Sequence, residues 1–239
     1  MNTRASDRRQ ARMQRLLEGP IAPALAQLAI PNVAIVTAQS LATIADAAFV
    51  GQIGVVPLAA IALAFPVQAL LGMLSQGAVG GGISSAVARA LGAGDQARAE
   101  ALVIHAIIIS IVLSAIFTLI FGILARPTFY LLGGRGAALD STVAYAQILF
   151  GGTALIWIGN SFASVLRGTG NMIVPAAVMV TTLTLSIPLS GALTLGWFGL
   201  PALGVRGPAV AFVTAFTISG IVLGGYLLSG RAGLHIRLQ

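Results

Sequence analysis

Apolar residues run along this chain in long blocks, and charged residues mark where the blocks end. Charge-free stretches cover Gly19–Ala45, Ala47–Ala88, Ala101–Ala125, Ser141–Leu166, Gly168–Val205 and Gly207–Gly230. Each is long enough for a hydrocarbon core, which an α-helix crosses in about 20 residues. Backbone groups in lipid must bond within their own segment, so the blocks predict helices. The short alternating segments of a transmembrane β-barrel are not visible.

Glycine, proline and charge divide the blocks into six predicted helices, roughly Ala24–Val50, Leu58–Ala90, Ala97–Leu124, Ser141–Leu166, Ile173–Leu195 and Ala209–Leu228. The connections read "GQIGVVP", "LGAGDQ", "ARPTFYLLGGRGA", "RGTGN" and "GWFGLPALGVRGP". Asp95 is placed as the N-cap of the third helix. Phe129 and Tyr130 suit headgroup depth. The fold class is therefore an all-α polytopic membrane protein with six transmembrane helices. A basic tail is expected over 1–19, a six-helix lobe over 20–230 and a second tail over 231–239.

Composition agrees, with 57% hydrophobic and only 8% charged residues, against about 25% charged in a soluble domain. The chain has no cysteine, which excludes disulfides and thiolate metal sites. No apolar run of suitable length precedes the Ala-Leu-Ala at 24–26, so a cleavable signal peptide is not expected. All 13 basic residues are arginines. Ten lie on one side of the predicted bundle, in the two tails and at Arg89, Arg98 and Arg167; the other side has Arg126, Arg135 and Arg206. The positive-inside rule then puts both termini in the cytoplasm of a multi-pass cell-membrane protein. Basic charge serves topology here, and no basic face carries the stacking aromatics that nucleic acid would need.

Of six acids, five fall in tails, turns or helix ends, and Asp46 alone lies within a span. An ionisable residue inside a membrane helix is costly and usually faces a bundle interior or an ion or substrate path. Asp46 is about 7 Å below the outer end of its helix, at 1.5 Å per residue. Asn32, Gln39, Thr43 and Asp46 follow at intervals of 7, 4 and 3, one face of a helix. Polar glue between helices is one reading of that stripe; the acid at its end favours a hydrated cavity. Candidate wall residues are Gln39, Thr43, Tyr145, Asn160, Ser186, Ser190 and Thr214, with Gln68, Ser75 and Gln76 marking the second helix. Thr182, Ser186 and Ser190 suit equally a set of hydroxyls bonded to their own helix, and Tyr145 an interfacial tyrosine. His105, with no nearby acid, reads as a packed residue. "GAVGGGISS" lacks the lysine and strand of a phosphate loop and reads as small-residue helix packing. No constellation for enzyme catalysis or metal binding is present.

"LEGPIAPALAQLAIPNVAIVTAQSLATIADAAFVGQIG", "GGGISSAVARALGAGD" and "SVLRGTGNMIVPA" closely resemble the multidrug and toxic compound extrusion (MATE) transporters. The likeness runs from about Leu17 through nearly the whole chain. It implies an antiporter that expels cationic or amphipathic compounds in exchange for H+ or Na+, with no other cofactor. It also implies twelve helices in two six-helix lobes, of which this chain is the amino-terminal one. The family's coupling acid in the first helix falls on Asp46, and a tyrosine of the same network in some members falls on Tyr145. Two departures stand out. The family often has Asn and Asp four apart in the fifth helix, where this chain has Ser186 and Ser190. The second lobe is also missing, which leaves a fragment, a truncated non-transporting protein, or a half-transporter completed by a second copy. The expected mechanism has Asp46 protonated from outside and the Pro31-containing helix repacking to release a cation outward. A related lipid-linked saccharide flippase is a weaker alternative, since more charge would be expected in its cavity. The expected partners are the lipid bilayer and small cationic molecules.

Overall fold

The computed structural model describes residues 21–230, with side chains from residue 29 onward. The flanking tails and their arginines lie outside the described residues. Within them the chain is helical almost throughout and has no strand. Helix α1 spans Ile21–Ile53. Helix α2 spans Val55–Gly92 and α3 spans Gln96–Ile123. A short α4, Ala125–Leu131, leads into α5, Gly136–Gly151, and α6, Thr153–Gly168. Helices α7, Ile173–Leu195, and α8, Arg206–Leu228, complete the lobe. Five helices are long and apolar enough to cross a membrane, and α5 with α6, bent by 45°, make a sixth span.

The turns are tighter than the sequence suggests. The "GQIGVVP" turn reduces to Gly54, the one non-helical residue between α1 and α2, at φ 147°. Asp95 caps α3 as expected, its carboxylate accepting the Arg98 backbone N–H at 2.9 Å. Phe129 departs from expectation. It is fully buried in the aromatic cluster with Phe117, Phe121 and Phe150 and so faces the bundle rather than its surroundings, while Tyr130 is exposed. The short α4 turns one ring inward, and Arg135 stacks on the Tyr130 ring 3.8 Å from its centroid.

The fourth predicted helix is broken rather than continuous. At Gly152 an added Cβ would come within 2.5 Å of the Val213 side chain on α8, so only glycine lets the two helices meet there. The freed Phe150 carbonyl accepts from both Thr118 and Thr153 hydroxyls at 2.7 Å. Polar side chains inside the bundle thus re-satisfy the backbone that the bend opens, as membrane helices require. Helices α2 and α3 each contain a widened turn, at Met73–Val79 and Thr118–Ile123.

Packing is organised around α6, which is buried along most of its length between α2, α3 and α8. Helix α1 packs chiefly on α7, and α7 on α8. One apolar cluster surrounds Trp157, Phe150 and Phe117, and a second joins Val87, Val103, Leu166 and Leu223. Without a water-driven hydrophobic term, such contacts depend on close packing of small residues. At Gly159 an added Cβ would meet the Gly220 Cα at 3.3 Å and the Phe216 carbonyl at 3.4 Å. Gly159→Leu should therefore push α6 from α8 and cost about 1–3 kcal/mol, the usual range for overpacking. Gly225→Leu, with open space around its Cα, should be nearly neutral. Unfolding titrations of both variants in detergent check the contrast.

Candidate functional site

The site forms where α1 leans on α7. Ser190 donates its hydroxyl proton to Asp46 Oδ1 across 2.5 Å, joining residues 144 apart in sequence. Asp46 is half-buried and Ser190 is buried. Below them, toward the middle of the bundle, opens a cavity of about 600 Å³, within the 300–1,000 Å³ usual for small-molecule sites. Gln39, Thr43 and Asp46 line its α1 wall, together with Ser40. Phe65, Gln68, Met73 and Gln76 line the α2 wall, and Leu183 and Phe212 close it from α7 and α8.

The helical intervals that align Gln39, Thr43 and Asp46 also decide which of them is available. Thr43 donates to the Gln39 carbonyl at 2.9 Å, so its hydroxyl serves its own helix. Among the described residues, the carboxylate of Asp46 is the one charged group of the lining, and no arginine belongs to it. Asn32, the start of the predicted stripe, is outside the lining.

Helix α5 supports the opposite wall. Tyr145 is buried and donates to Gln68 Oε1 at 3.0 Å, and it lies within electrostatic reach of Asp46. It is therefore an interior residue rather than an interfacial one. Further along the same bent span, Asn160 donates to Ser75 Oγ at 2.9 Å, with both residues buried. Ser75 belongs to the widened turn of α2, which turns its side chain into the α2–α6 contact.

Of the predicted wall residues only Gln39 and Thr43 line the cavity beside Asp46; Tyr145, Asn160 and Ser190 stand behind the lining, and Ser186 and Thr214 stand apart. Ser186 is buried and donates to the Leu183 carbonyl at 2.7 Å, so it bonds its own helix and does not reach Asp46. Thr214 is exposed and outside the lining, a correction to its expected place in the wall. Phe212 holds the α8 position in the wall, and two residues on at about 100° each turns Thr214 to another face. The apolar wall residues Phe65, Met73 and Phe212 escaped sequence reasoning, because in a greasy chain they carry no distinguishing signal. Among the described residues no group of three or more His, Cys, Asp or Glu side chains could hold a metal ion.

The MatE family model matches residues 31–191 of this chain. The chain belongs to the MatE family. Among curated MatE-type relatives, an FAD transporter of Shewanella oneidensis is 29% identical over 217 residues, 89% of this chain and 47% of its own length. A probable multidrug resistance protein NorM of Thermotoga maritima is 28% identical over 218 residues, 89% of this chain and 46% of its own. The chain spans about half the length of the curated relatives it matches. Among solved structures, the outward-facing conformation of a multidrug resistance MATE family transporter superposes with a TM-score of 0.81 at 30% identity, covering 94% of this chain and 49% of that one. An inward-facing conformation gives 0.74 at 30% identity, covering 84% and 44%. These relatives are named as transporters or resistance proteins, not as enzymes.

The two interior bonds of this MatE lobe should differ in weight. Asn160→Ala removes the buried donor to Ser75 Oγ, leaving that hydroxyl only its long 3.4 Å bond to the Gly72 carbonyl, and should cost about 1–3 kcal/mol. Tyr145→Phe frees Gln68, which opens on the cavity and can turn to water, and should cost about 0.5–1.5 kcal/mol. Denaturant unfolding in detergent ranks the two.

Proposed function

We propose that this chain is the amino-terminal lobe of a multidrug efflux antiporter in the cell membrane, in which a proton and a lipophilic cation compete for Asp46. One observation carries the reading: a cavity of small-molecule size holds a single carboxylate, no basic residue and largely apolar walls. Such a lining attracts a positive charge borne on a greasy body. At 4 Å and an effective dielectric of 20, one ion pair contributes about 4 kcal/mol before desolvation. Protonation of Asp46 removes that attraction and lets the cation leave.

The surroundings of the carboxylate favour a proton over sodium. A hard cation takes a shell of several oxygen ligands, whereas Asp46 has one hydroxyl partner, Ser190, whose proton points at it. The second serine, Ser186, is committed to the Leu183 carbonyl. The FAD named for one relative carries an anionic pyrophosphate, for which the described lining holds no arginine. The half-length match supports a cleft whose other wall comes from a second six-helix lobe or a second copy of the chain. The arginine distribution along the sequence supports cytoplasmic termini, and in this reading the Pro31-containing α1 is the element that repacks.

Binding by the single lobe tests the reading without requiring a complete transport cycle. Tetraphenylphosphonium should bind the detergent-solubilised chain more weakly as pH falls, and Asp46→Asn should abolish both the binding and its pH dependence. Sodium chloride should compete no better than choline chloride. In proteoliposomes, Asp46→Asn should also remove efflux driven by a pH gradient. Undiminished proton-driven efflux in that variant would overturn the role of Asp46. Failure of the unaltered chain to bind any lipophilic cation would favour a non-transporting remnant.

A further inference from the structure

Asp46 has two sides. Toward the middle of the bundle it faces the cavity. Toward the α7–α8 loop, α1 and the end of α7 carry a pair of aromatic rings that the cavity does not include. Phe49 lies one helical turn beyond Asp46 on α1, and Trp197 follows the end of α7. Their rings meet edge-on, with centroids 5.4 Å apart at 82°. Both press on Gly191, the residue after Ser190. A Cβ there would come within 2.7 Å of Trp197 Cζ3 and 3.0 Å of Phe49 Cζ. The ring pair therefore bridges α1 and α7 directly beyond the Asp46–Ser190 bond.

The loop is built to hold the indole in that place. Gly196 leaves α7 at φ 78°, and its N–H bonds the Ala192 carbonyl at 2.9 Å. The Leu203 N–H returns to the Leu193 carbonyl at 2.7 Å, and Leu200 N–H bonds the Trp197 carbonyl at 3.2 Å. Phe198 adopts the left-handed conformation at φ 58°, the one non-glycine residue among those described to do so. A bulky residue there is an outlier that its surroundings must enforce. The consequence is a sharp reversal: Phe198 is 91% exposed at the tip, while Trp197, 41% exposed on its outer side, lays its inner ring edge against Gly191.

We propose that Trp197, closed on Phe49 over Gly191, is the access-determining residue on the loop side of Asp46. It shuts the direct route from that end of the bundle, so ions and cations exchange with the carboxylate through the cavity. In the orientation proposed above, the loop side is the outer side, and the gate keeps an outside proton from reaching Asp46 except by way of the space the substrate occupies. This use of the gate rests on the proposed exchange; the gate itself does not.

The chain has no cysteine, so single-cysteine probes report cleanly. Ser190→Cys, at a position 2% exposed, should react slowly with a cationic methanethiosulfonate reagent on the detergent-solubilised chain. Adding Trp197→Ala should speed that reaction about tenfold, the scale expected from losing one aromatic pair. Phe49→Ala should do the same by removing the other ring, and Trp197→Phe should keep the reaction slow. Thr43→Cys, on the cavity wall, should label at an unchanged rate in all three backgrounds. Equal rates at Ser190→Cys with and without the rings would overturn the gate, as would equal acceleration at Thr43→Cys, which signals general loosening. If Trp197→Ala does not fold, Phe49→Ala decides. Labelling needs no transport, so a chain that shows the gate but binds no cation would refute the proposed function and leave the gate standing.

Discussion

A carboxylate inside a membrane helix has to be given its hydrogen-bond donors by the protein, and Ser190 gives Asp46 one. That requirement fixes the relation of α1 to α7, because the 2.5 Å bond forms only with the two helices in contact at that level. The contact in turn leaves α1 largely free of α2, and the gap between them is the cavity. The site is thus the residue of one strong polar contact and one deliberately loose one. A hydroxyl at position 190 makes the contact without adding a second charge beside Asp46.

A second polar seam holds the opposite wall. Thr142, Tyr145 and Asn160 on α5 and α6 reach the Ala60 carbonyl, Gln68 and Ser75 on α2. The break at Gly152 and the widened turn at Met73–Val79 allow these residues to face one another. An unbroken pair of helices would carry the same side chains out of register. Irregular backbone is tolerated at membrane depth where protein side chains satisfy it, and here hydroxyls from Thr118 and Thr153 do so.

Much of this was readable from the residues. The charge-free blocks marked six spans because lipid imposes both their length and their lack of charge. Asp46 stood out for the same reason, and the intervals to Gln39 and Thr43 placed those residues on its face. Ser190 was legible as a polar position four residues from Ser186, though only the structure separates the serine that meets Asp46 from the one that bonds its own helix. The break at Gly152 was hidden, since a glycine pair in a helix rich in small residues looks like packing. Phe129 and Trp197 misled or escaped for a common reason: an aromatic residue beside a loop can face headgroups or the bundle, and nothing local in sequence decides which.

The isolation of Asp46 also bears on energetics. In the exchange proposed above, Asp46, the one carboxylate of the described cavity lining, would trade one unit of charge per cycle. Exchange of one proton for one monovalent cation moves no net charge across the membrane, so the membrane potential does no work on it. Such a cycle is driven by the pH difference alone, and each pH unit, worth about 1.36 kcal/mol, sustains at most about a tenfold gradient of the exported cation. On that proposal a second acid at position 190 would add a charge that couples the same lobe to voltage, and Ser190 adds none.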